Sequence, residues 1–313
     1  MENTSMGYHT FAFFQKTDEE EYQVLENDFI GYMQRTKKLK RSPVQNKDKI
    51  QIGWQYTYKD DKEKGIHWLM LSSKAKNNYV TRGVLAVINQ EALIENNYIR
   101  AAKDDDLKEV EEIYNRETEN ISKIFLKFGS CSLNRVDPCL NIDLKELGIP
   151  CTPEQMMKLI KRGNIPRYYE ERKECYDSKQ RRMVSDKNSF YLESKSSVIN
   201  FYWKYAKQGK KHPNYSKRES SRNVIRLEVE CKYLKLYALV KNRNRESKYY
   251  ESAEGLSIDE MYMRMYKGIY NPVIPIDVVL SANIYEPIIR KSIYNLNSAK
   301  NYNEANDFRL NLP

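Results

Sequence analysis

Three segments of the sequence alternate apolar and polar residues over eight or nine consecutive positions, namely Val136–Leu144, Val198–Tyr205 and Val224–Cys231. Successive side chains of a β-strand point to opposite sides of the sheet. Each segment therefore predicts a strand with one packed face and one polar face. A shorter segment with the same period, Ile66–Leu71, adds a fourth predicted strand.

Helical periodicity occurs in the intervening and flanking sequence. Asp18–Lys38 and Asp104–Lys127 place apolar residues three or four positions apart and begin with acidic residues, as amphipathic helices do. Thr152–Gly163 and Ser257–Gly268 begin with helix-capping residues and end at glycine. These patterns predict an α+β fold, in which a twisted antiparallel sheet over about residues 60–240 packs against the N-terminal helix.

Length and composition set the expected domain plan. A chain of 313 residues, 40% of them hydrophobic, is long enough for one large or two small domains with a real core. A mean hydropathy of −0.80 excludes a membrane protein. We expect a main domain over residues 1–240, then a linker and a small helical C-terminal region over residues 241–313. Within that region Asn242–Ser252 predicts a loop, and the Asn-rich stretch Ser292–Pro313 predicts a mobile tail and leaves open a missing C-terminal part.

Basic residues are concentrated in one part of the chain. Between Pro153 and Arg222 there are 18 Lys and Arg but only 8 Asp and Glu, an excess equal to the whole net charge of +10. Such an excess suits a phosphate-binding face, although an acidic protein, a membrane surface or simple solvation also fits. The basic residues that flank the second alternating segment, and that we expect to hold a nucleic-acid backbone, are Lys195, Lys207, Lys210, Lys211, Lys217, Arg218 and Arg222.

Cysteine and histidine spacing limits the redox and metal chemistry. The five cysteines show no CxxC pair, and no signal sequence precedes them, so a reduced cytosolic chain is expected. The three histidines, His9, His67 and His212, lie too far apart in sequence to form a local zinc motif. His212 next to Pro213 is typical of a loop residue.

The polar faces of the three strands carry reactive groups. They are Asn200, Tyr202 and Lys204 on one strand, Arg226, Glu228 and Glu230 on another, and Arg135, Asp137, Asn141 and Asp143 on the third. Any half-exposed strand shows polar residues on its wet face. If the three faces are aligned in one sheet, however, they place a phenol near carboxylates that suit a hard divalent cation. Pro138 also predicts that its strand is an edge strand or contains a bulge.

These segments resemble the rolling-circle replication initiators, in particular the gene-two nicking protein of filamentous phages and its plasmid relatives. The resemblance lies in SCSLNRVDPCLNI (Ser130–Ile142), SFYLESKSSVINFYWKYAKQ (Ser189–Gln208) and NVIRLEVECKYLKLYAL (Asn223–Leu239), with a weaker likeness in IHWLMLSSKAKNNYVTRGVLAV (Ile66–Val87). The individual motifs, an R-V-D strand, a Tyr-x-Lys strand and an R-L-E strand, are short, but their order and spacing together are fairly specific. Members of this family nick one strand at a replication origin and stay joined to it through tyrosine.

The resemblance implies a role for each matching residue. Tyr202 would be the nucleophile, Lys204 its neighbour on the same face, and Arg226 the cation beside the phosphate. Asp137 and Glu228 would hold Mg²⁺ or Mn²⁺. A free phenol has a pKa of about 10, so Tyr202 needs such cations to stabilise its phenolate. Attack would give a 5′-phosphotyrosyl intermediate and a 3′-OH primer, and the stored bond would permit rejoining.

Several points stay open. Tyr191 and Tyr205 are alternative nucleophiles. The histidine pair that holds metal in many other initiators is absent, so the resemblance leaves the metal to carboxylates, and Asn141 stands where relatives can carry an acid. Implied partners are single-stranded or supercoiled origin DNA and a host helicase and polymerase, in the cytoplasm of a bacterial host of a plasmid, phage or integrated element. The alternatives are a nonenzymatic single-stranded nucleic-acid-binding protein that stacks Trp203 and tyrosines on bases, a nuclease without covalent chemistry, and an inactive copy.

Overall fold

The computed structural model of the chain contains one large antiparallel sheet. It describes residues 5–46, 48–59, 65–74, 80–93, 101–163, 165, 169–173, 175–177, 182–184, 186–208, 219–237 and 282–297. The strands are β1 (Ser5–Lys16), β2 (Leu39–Gln45), β3 (Gln51–Tyr58), β4 (Ile66–Lys74), β5 (Val80–Asn89), β6 (Ser132–Asp143), β7 (Glu170–Glu171), β8 (Cys175–Asp177), β9 (Arg182–Val184), β10 (Ser189–Glu193), β11 (Ser197–Trp203) and β12 (Val224–Lys232). Ten of these described strands pair in the order β2-β3-β4-β5-β1-β6-β12-β11-β10-β7, and β8 pairs with β9.

The helices used below are α1 (Glu19–Thr36), α2 (Gln90–Leu93), α3 (Leu107–Ile121), α4 (Pro153–Ile160), α5 (Lys204–Gln208) and α6 (Ala282–Asn297). The first of these begins as predicted, because the Asp18 side chain accepts a hydrogen bond from the backbone N–H of Glu21 in a capping box. Thr152 caps α4 in the same way. Over the part of the chain that the structure describes, no helix is both long and apolar enough to cross a bilayer.

The α+β prediction is confirmed, and all four predicted strands are present as β4, β6, β11 and β12. The predicted start of the sheet near residue 60 is wrong, since β1, β2 and β3 extend the sheet back to Ser5. β1 was not predicted, because both of its faces are largely buried and its sequence is therefore a nearly continuous apolar run without alternation. β2 is an edge strand that contains Pro43, and its polar sequence gives no strand signal.

The C-terminal predictions have mixed outcomes. Helix α6 continues to Asn297, so the first six residues of the predicted tail, Ser292–Asn297, are helical, and the rest of that tail lies outside the described residues. The helix predicted at Ser257–Gly268 and the loop predicted at Asn242–Ser252 lie outside the described residues.

The helices cover the apolar faces of the sheet. Leu25 and Phe29 of α1 and Tyr114 of α3 are buried in the core, and the Phe29 ring stacks on Tyr56 of β3 with centroids 4.3 Å apart. Helix α4 contacts β10 and β11, and α6 contacts β1, β6 and β12. These helices therefore pack on one face of the strands β10, β11 and β12. The polar side chains of the three strands point to the opposite face of the sheet.

An irregularity lies at the centre of the sheet, where β1 pairs with β6. Tyr8 is opposite Pro138 and Thr10 is opposite Asp137, so His9 is an extra residue in β1. Proline has no N–H to donate to the ladder, which favours a break in pairing at that point. β6 lies between β1 and β12, so the predicted edge is wrong and the predicted bulge is confirmed, although the extra residue belongs to the partner strand. A bulge changes the direction of nearby side chains, and this one directs His9 toward the candidate active site.

Candidate active site

A cavity of about 400 Å³ opens on the polar face of the sheet. Its lining comes from β1, β5, β6, β10, β11, β12, α2, α5 and the residue after β7, and its polar members include His9, Arg135, Asp137, Arg172, Tyr191, Asn200, Tyr202, Lys204, Lys207, Arg226, Glu228 and Glu230. Strand register explains the grouping, because Tyr202 is directly opposite Arg226 and Asn200 is directly opposite Glu228. The sheet therefore brings together every residue that the resemblance assigns to catalysis or metal binding.

The predicted division of β12 into two faces is confirmed. Ile225, Leu227 and Val229 are buried in the apolar core. Arg226 and Glu228 alternate with them and line the cavity on the opposite side. Because both faces of β12 are largely buried, these charged groups lie inside the fold and not on an open surface.

Tyr202 and Glu228 are joined by a buried hydrogen bond. The Tyr202 hydroxyl donates to Glu228 Oε1 over 2.5 Å, and the tyrosine is only 7% exposed. The same carboxylate oxygen lies 3.4 Å from His9 Nε2 and 3.7 Å from Arg226 Nη1. The phenol proton thus already has an acceptor, and that acceptor is flanked by two nitrogen groups.

Arg226 is buried beside the cavity, and two side-chain contacts fix its orientation. Its side chain is 0% exposed, and its Nε donates to Asn141 Oδ1 over 2.6 Å. Its Nη1 lies 3.0 Å from His9 Nδ1. A guanidinium can only donate, so His9 Nδ1 accepts this bond and Nε2 carries the ring proton toward Glu228. Asn141 thus orients the guanidinium of Arg226.

His9 and Arg172 line the cavity but were not predicted as site residues. The three histidines are far apart in sequence, and β1 was not predicted, so nothing placed His9 near the other groups. A signal was nevertheless present, because His9 stands in the largely apolar run of Tyr8–Phe14. A titratable residue inside a strand buried on both faces needs a partner, and such residues mark functional sites.

Asp137 is paired with arginine and is not exposed to the cavity solvent. Arg135 Nε and Nη2 donate to its two carboxylate oxygens over 2.8 Å and 2.5 Å, and Arg135 Nη2 also lies 3.1 Å from Glu230 Oε2. Burial raises the pKa of Asp137 to about 6, even though Arg135 acts to lower it. The buried carboxylate and the guanidinium form one bidentate unit.

The carboxylates as arranged do not fit a divalent ion. Among the described residues, no three His, Cys, Asp or Glu side chains are grouped so that they could hold a metal. Arg135 occupies both oxygens of Asp137, and Tyr202 occupies one oxygen of Glu228. The Mg²⁺ or Mn²⁺ site of Asp137 and Glu228 therefore stays a prediction, and the chemistry proposed below uses only side chains.

Lys204 reaches the cavity from a helix and not from the predicted strand. Strand β11 ends at Trp203, and Lys204 begins α5 with its side chain buried at the cavity wall. Tyr205, predicted on the packed face of that strand, lies in α5 and stacks on Trp203 with centroids 5.5 Å apart. It is not among the described residues that line the cavity, whereas the other alternative nucleophile, Tyr191, is.

The predicted DNA-binding residues divide into three groups. Lys207 lines the cavity. Lys195 is exposed in the turn between β10 and β11, and Arg222 is exposed beside Glu219, with an N–O distance of 3.0 Å. Lys210, Lys211, Lys217 and Arg218, together with His212, lie outside the described residues.

Comparison with known proteins gives little independent information. No protein-family model and no curated protein matches the chain. A solved structure of a rolling-circle replication initiator protein from Geobacillus stearothermophilus aligns with 73% of this chain and 74% of its own, at 8% identity and a TM-score of 0.33. Similarity this low does not carry a function from one protein to the other.

Proposed function

We propose that the protein is a replication initiator that nicks one DNA strand at an origin with Tyr202 as nucleophile. The observation that carries the proposal is the buried hydrogen bond from Tyr202 to Glu228 inside a cavity where cationic side chains outnumber carboxylates. The resemblance of the three strands to rolling-circle initiators supports the same assignment. A host helicase and polymerase, in a bacterial cytoplasm, would then use the 3′-OH that the nick creates.

The proposed step conserves atoms and charge without a co-reactant. Tyr202 Oη attacks the phosphorus, the Oη–P bond forms, and the P–O3′ bond breaks. Glu228 takes the phenol proton, for which it is already the hydrogen-bond acceptor. The leaving O3′ takes a proton from the Lys204 ammonium and becomes the primer hydroxyl. Rejoining is the reverse reaction, in which O3′ attacks the phosphotyrosyl bond.

Arg226 is the group that would stabilise the phosphoryl oxygens. Negative charge accumulates on those oxygens as the two P–O bonds exchange, and a fixed guanidinium stabilises it without reorganising. Asn141 and His9 hold Arg226 in one orientation. Removing one such fixed donor typically lowers the rate by about 10²- to 10³-fold.

The test is a covalent adduct assay. Purified protein is incubated with single-stranded and supercoiled DNA of its own genetic element, with and without Mg²⁺ or Mn²⁺, and a protein–DNA adduct is sought on a denaturing gel. We expect an adduct that Tyr202→Phe abolishes and that the control variant Tyr205→Phe retains. An adduct that survives Tyr202→Phe but not Tyr191→Phe overturns the assignment of the nucleophile. Salt-sensitive DNA binding without any adduct favours the nonenzymatic binding protein.

A further inference from the structure

Tyr191 lies on the same side of the sheet as Tyr202 but in a different environment. It is 8% exposed and directly opposite Asn200, two residues before Tyr202 on the neighbouring strand. Diagonal neighbours of this kind lie about 7–8 Å apart. Both tyrosines line the cavity.

Two cations contact the Tyr191 ring. Lys207 Nζ donates a hydrogen bond to Tyr191 Oη over 2.7 Å and lies 5.2 Å from the ring centroid. The Arg172 guanidinium carbon lies 4.7 Å from the same centroid. Because Oη accepts from Lys207, its own proton is available to a further acceptor. One ring thus gathers an O–H donor, an ammonium and a guanidinium.

The cavity lining carries more cations than carboxylates. Five cationic side chains and three carboxylates line the cavity: Arg135, Arg172, Lys204, Lys207 and Arg226 against Asp137, Glu228 and Glu230. Arg135 contacts two of those carboxylates and Arg226 lies near the third. Glu193 reaches Arg172 only at 3.8 Å and is bonded to Lys232 at 2.9 Å.

We propose that Tyr191, Lys207 and Arg172 form a subsite that binds the backbone phosphate next to the one that Tyr202 attacks. The inference rests on the proposed function for the identity of the strand, a single-stranded DNA. A phosphodiester is the ligand that this donor set suits, because it offers two anionic oxygens to an O–H, an ammonium and a guanidinium. Tyr191 is then a binding residue and not a second nucleophile.

The test measures salt-dependent binding and does not depend on nicking. Affinity of the full chain for fluorescent oligo-dT is measured by anisotropy over a range of salt concentrations, in a Tyr202→Phe background that cannot form an adduct. For single strands, log K falls with log salt with a slope of about −0.7 per neutralised phosphate. We expect Arg172→Gln with Lys207→Gln to lose affinity and to reduce the magnitude of the slope by roughly 0.7.

The matched control changes the same two charges elsewhere. Lys40 of β2 and Arg116 of α3 are exposed and are not among the described residues that line the cavity. Lys40→Gln with Arg116→Gln should leave both slope and affinity unchanged. A cavity variant that behaves like this control overturns the subsite. Should the double cavity variant not fold, Lys207→Gln alone carries the same expectation, since Lys207 is exposed. Failure of the proposed function would instead appear as a missing adduct in the unmodified chain.

Discussion

The hydroxyl of Tyr202 donates a buried hydrogen bond to Glu228 Oε1 over 2.5 Å, so in the proposed reaction this carboxylate is the base that would take the phenol proton. Replacing Glu228 by glutamine keeps its shape but removes its capacity to take a proton. We expect Glu228→Gln to slow adduct formation by about 10²- to 10⁴-fold with oligo-dT affinity little changed. Single-turnover rates measure this effect.

The matched control for this prediction is Glu230→Gln. Glu230 lines the same cavity but contacts Arg135 and is not bonded to the phenol. It should retain most of the nicking rate. Equal rates in the two variants would remove Glu228 from the role of base.

His9 is expected to act as a positioning residue. Its ring contacts Arg226 at 3.0 Å and Glu228 at 3.4 Å, so His9→Phe removes a contact to each charged group. Hydrogen bonds to charged groups contribute about 1.5–3 kcal/mol, which corresponds to a rate loss of roughly 10- to 150-fold. Most of the loss should appear in kcat, because in the proposed function the basic residues supply the DNA affinity.

Rescue by a conservative variant separates positioning from simple packing. Glutamine offers both an acceptor and a donor, so His9→Gln should recover part of the rate that His9→Phe loses. His67→Gln, in β4 on the other half of the sheet, serves as the control. If His9→Gln is as slow as His9→Phe, the hydrogen-bonding role is contradicted.

The sequence predicted the chemical faces better than it predicted the sheet. The alternation in β12 was sufficient to place Ile225 and Leu227 on one face of the strand and Arg226 and Glu228 on the other, because side-chain direction in a strand has a period of two. Strand pairing was not predictable, because alternation within a strand does not show which strand lies beside it, and β1 pairs with β6 across more than a hundred positions of sequence. Register then decides which polar groups meet, as when Tyr202 is placed opposite Arg226.

The ion-pair partner of Asp137 was also not predictable from the sequence. The sequence identified the residue as part of the polar face, but a strand pattern carries no information on which neighbour a buried carboxylate selects. The structure pairs it with Arg135, two residues away on the same strand and face. His9 escaped notice because a bulge opposite proline, and not a motif, brings it to the site.

Asp137 should make the stability of the protein depend on pH. Burial raises its pKa from 3.8 to about 6, so between these values the folded state binds more protons than the unfolded state. The free energy of unfolding therefore loses the Asp137 contribution as the pH rises from about 4 to about 6. Each pKa unit corresponds to about 1.4 kcal/mol, so the change is on the order of 3 kcal/mol.

Denaturant unfolding of the wild-type protein and Asp137→Asn at several pH values isolates this contribution. The wild-type free energy of unfolding minus that of Asp137→Asn should decrease across this range. A difference that stays constant or increases with pH contradicts the raised pKa.

Arg135 and a divalent ion should compete for Asp137. The guanidinium occupies both carboxylate oxygens, so Mn²⁺ must displace it to bind there. We expect Arg135→Gln to bind Mn²⁺ at least tenfold more tightly than the wild-type protein, and Arg135→Gln with Asp137→Asn to lose that gain. Mn²⁺ titration followed by electron paramagnetic resonance measures the affinity without reference to nicking. Tight stoichiometric binding by the wild-type protein that Arg135→Gln weakens would show that the arginine assists the metal.

Two glycines should respond oppositely to alanine. A Cβ at Gly7 of β1 would lie 2.1 Å from the carbonyl oxygen of Ala102, and backbone must move to accept it. A Cβ at Gly31 of α1 meets nothing within 4 Å. We expect Gly7→Ala to destabilise the fold by about 1–3 kcal/mol and Gly31→Ala to stabilise it by about 0.5–1 kcal/mol. Thermal unfolding of both variants checks the pair, and a stable Gly7→Ala would contradict the close approach.

Because β1 lies between β5 and β6, it is fully paired only after both of those strands have been synthesised. A ribosome adds about 5–20 residues per second, so β1 waits on the order of ten seconds for β6, which begins at Ser132. During that interval one edge of an apolar strand is unpaired, which makes the nascent chain a natural client of chaperones. The strands that carry Tyr202 and Glu228, β11 and β12, are the last of the large sheet to be synthesised, so the candidate active site is assembled only at the end of translation of the sheet.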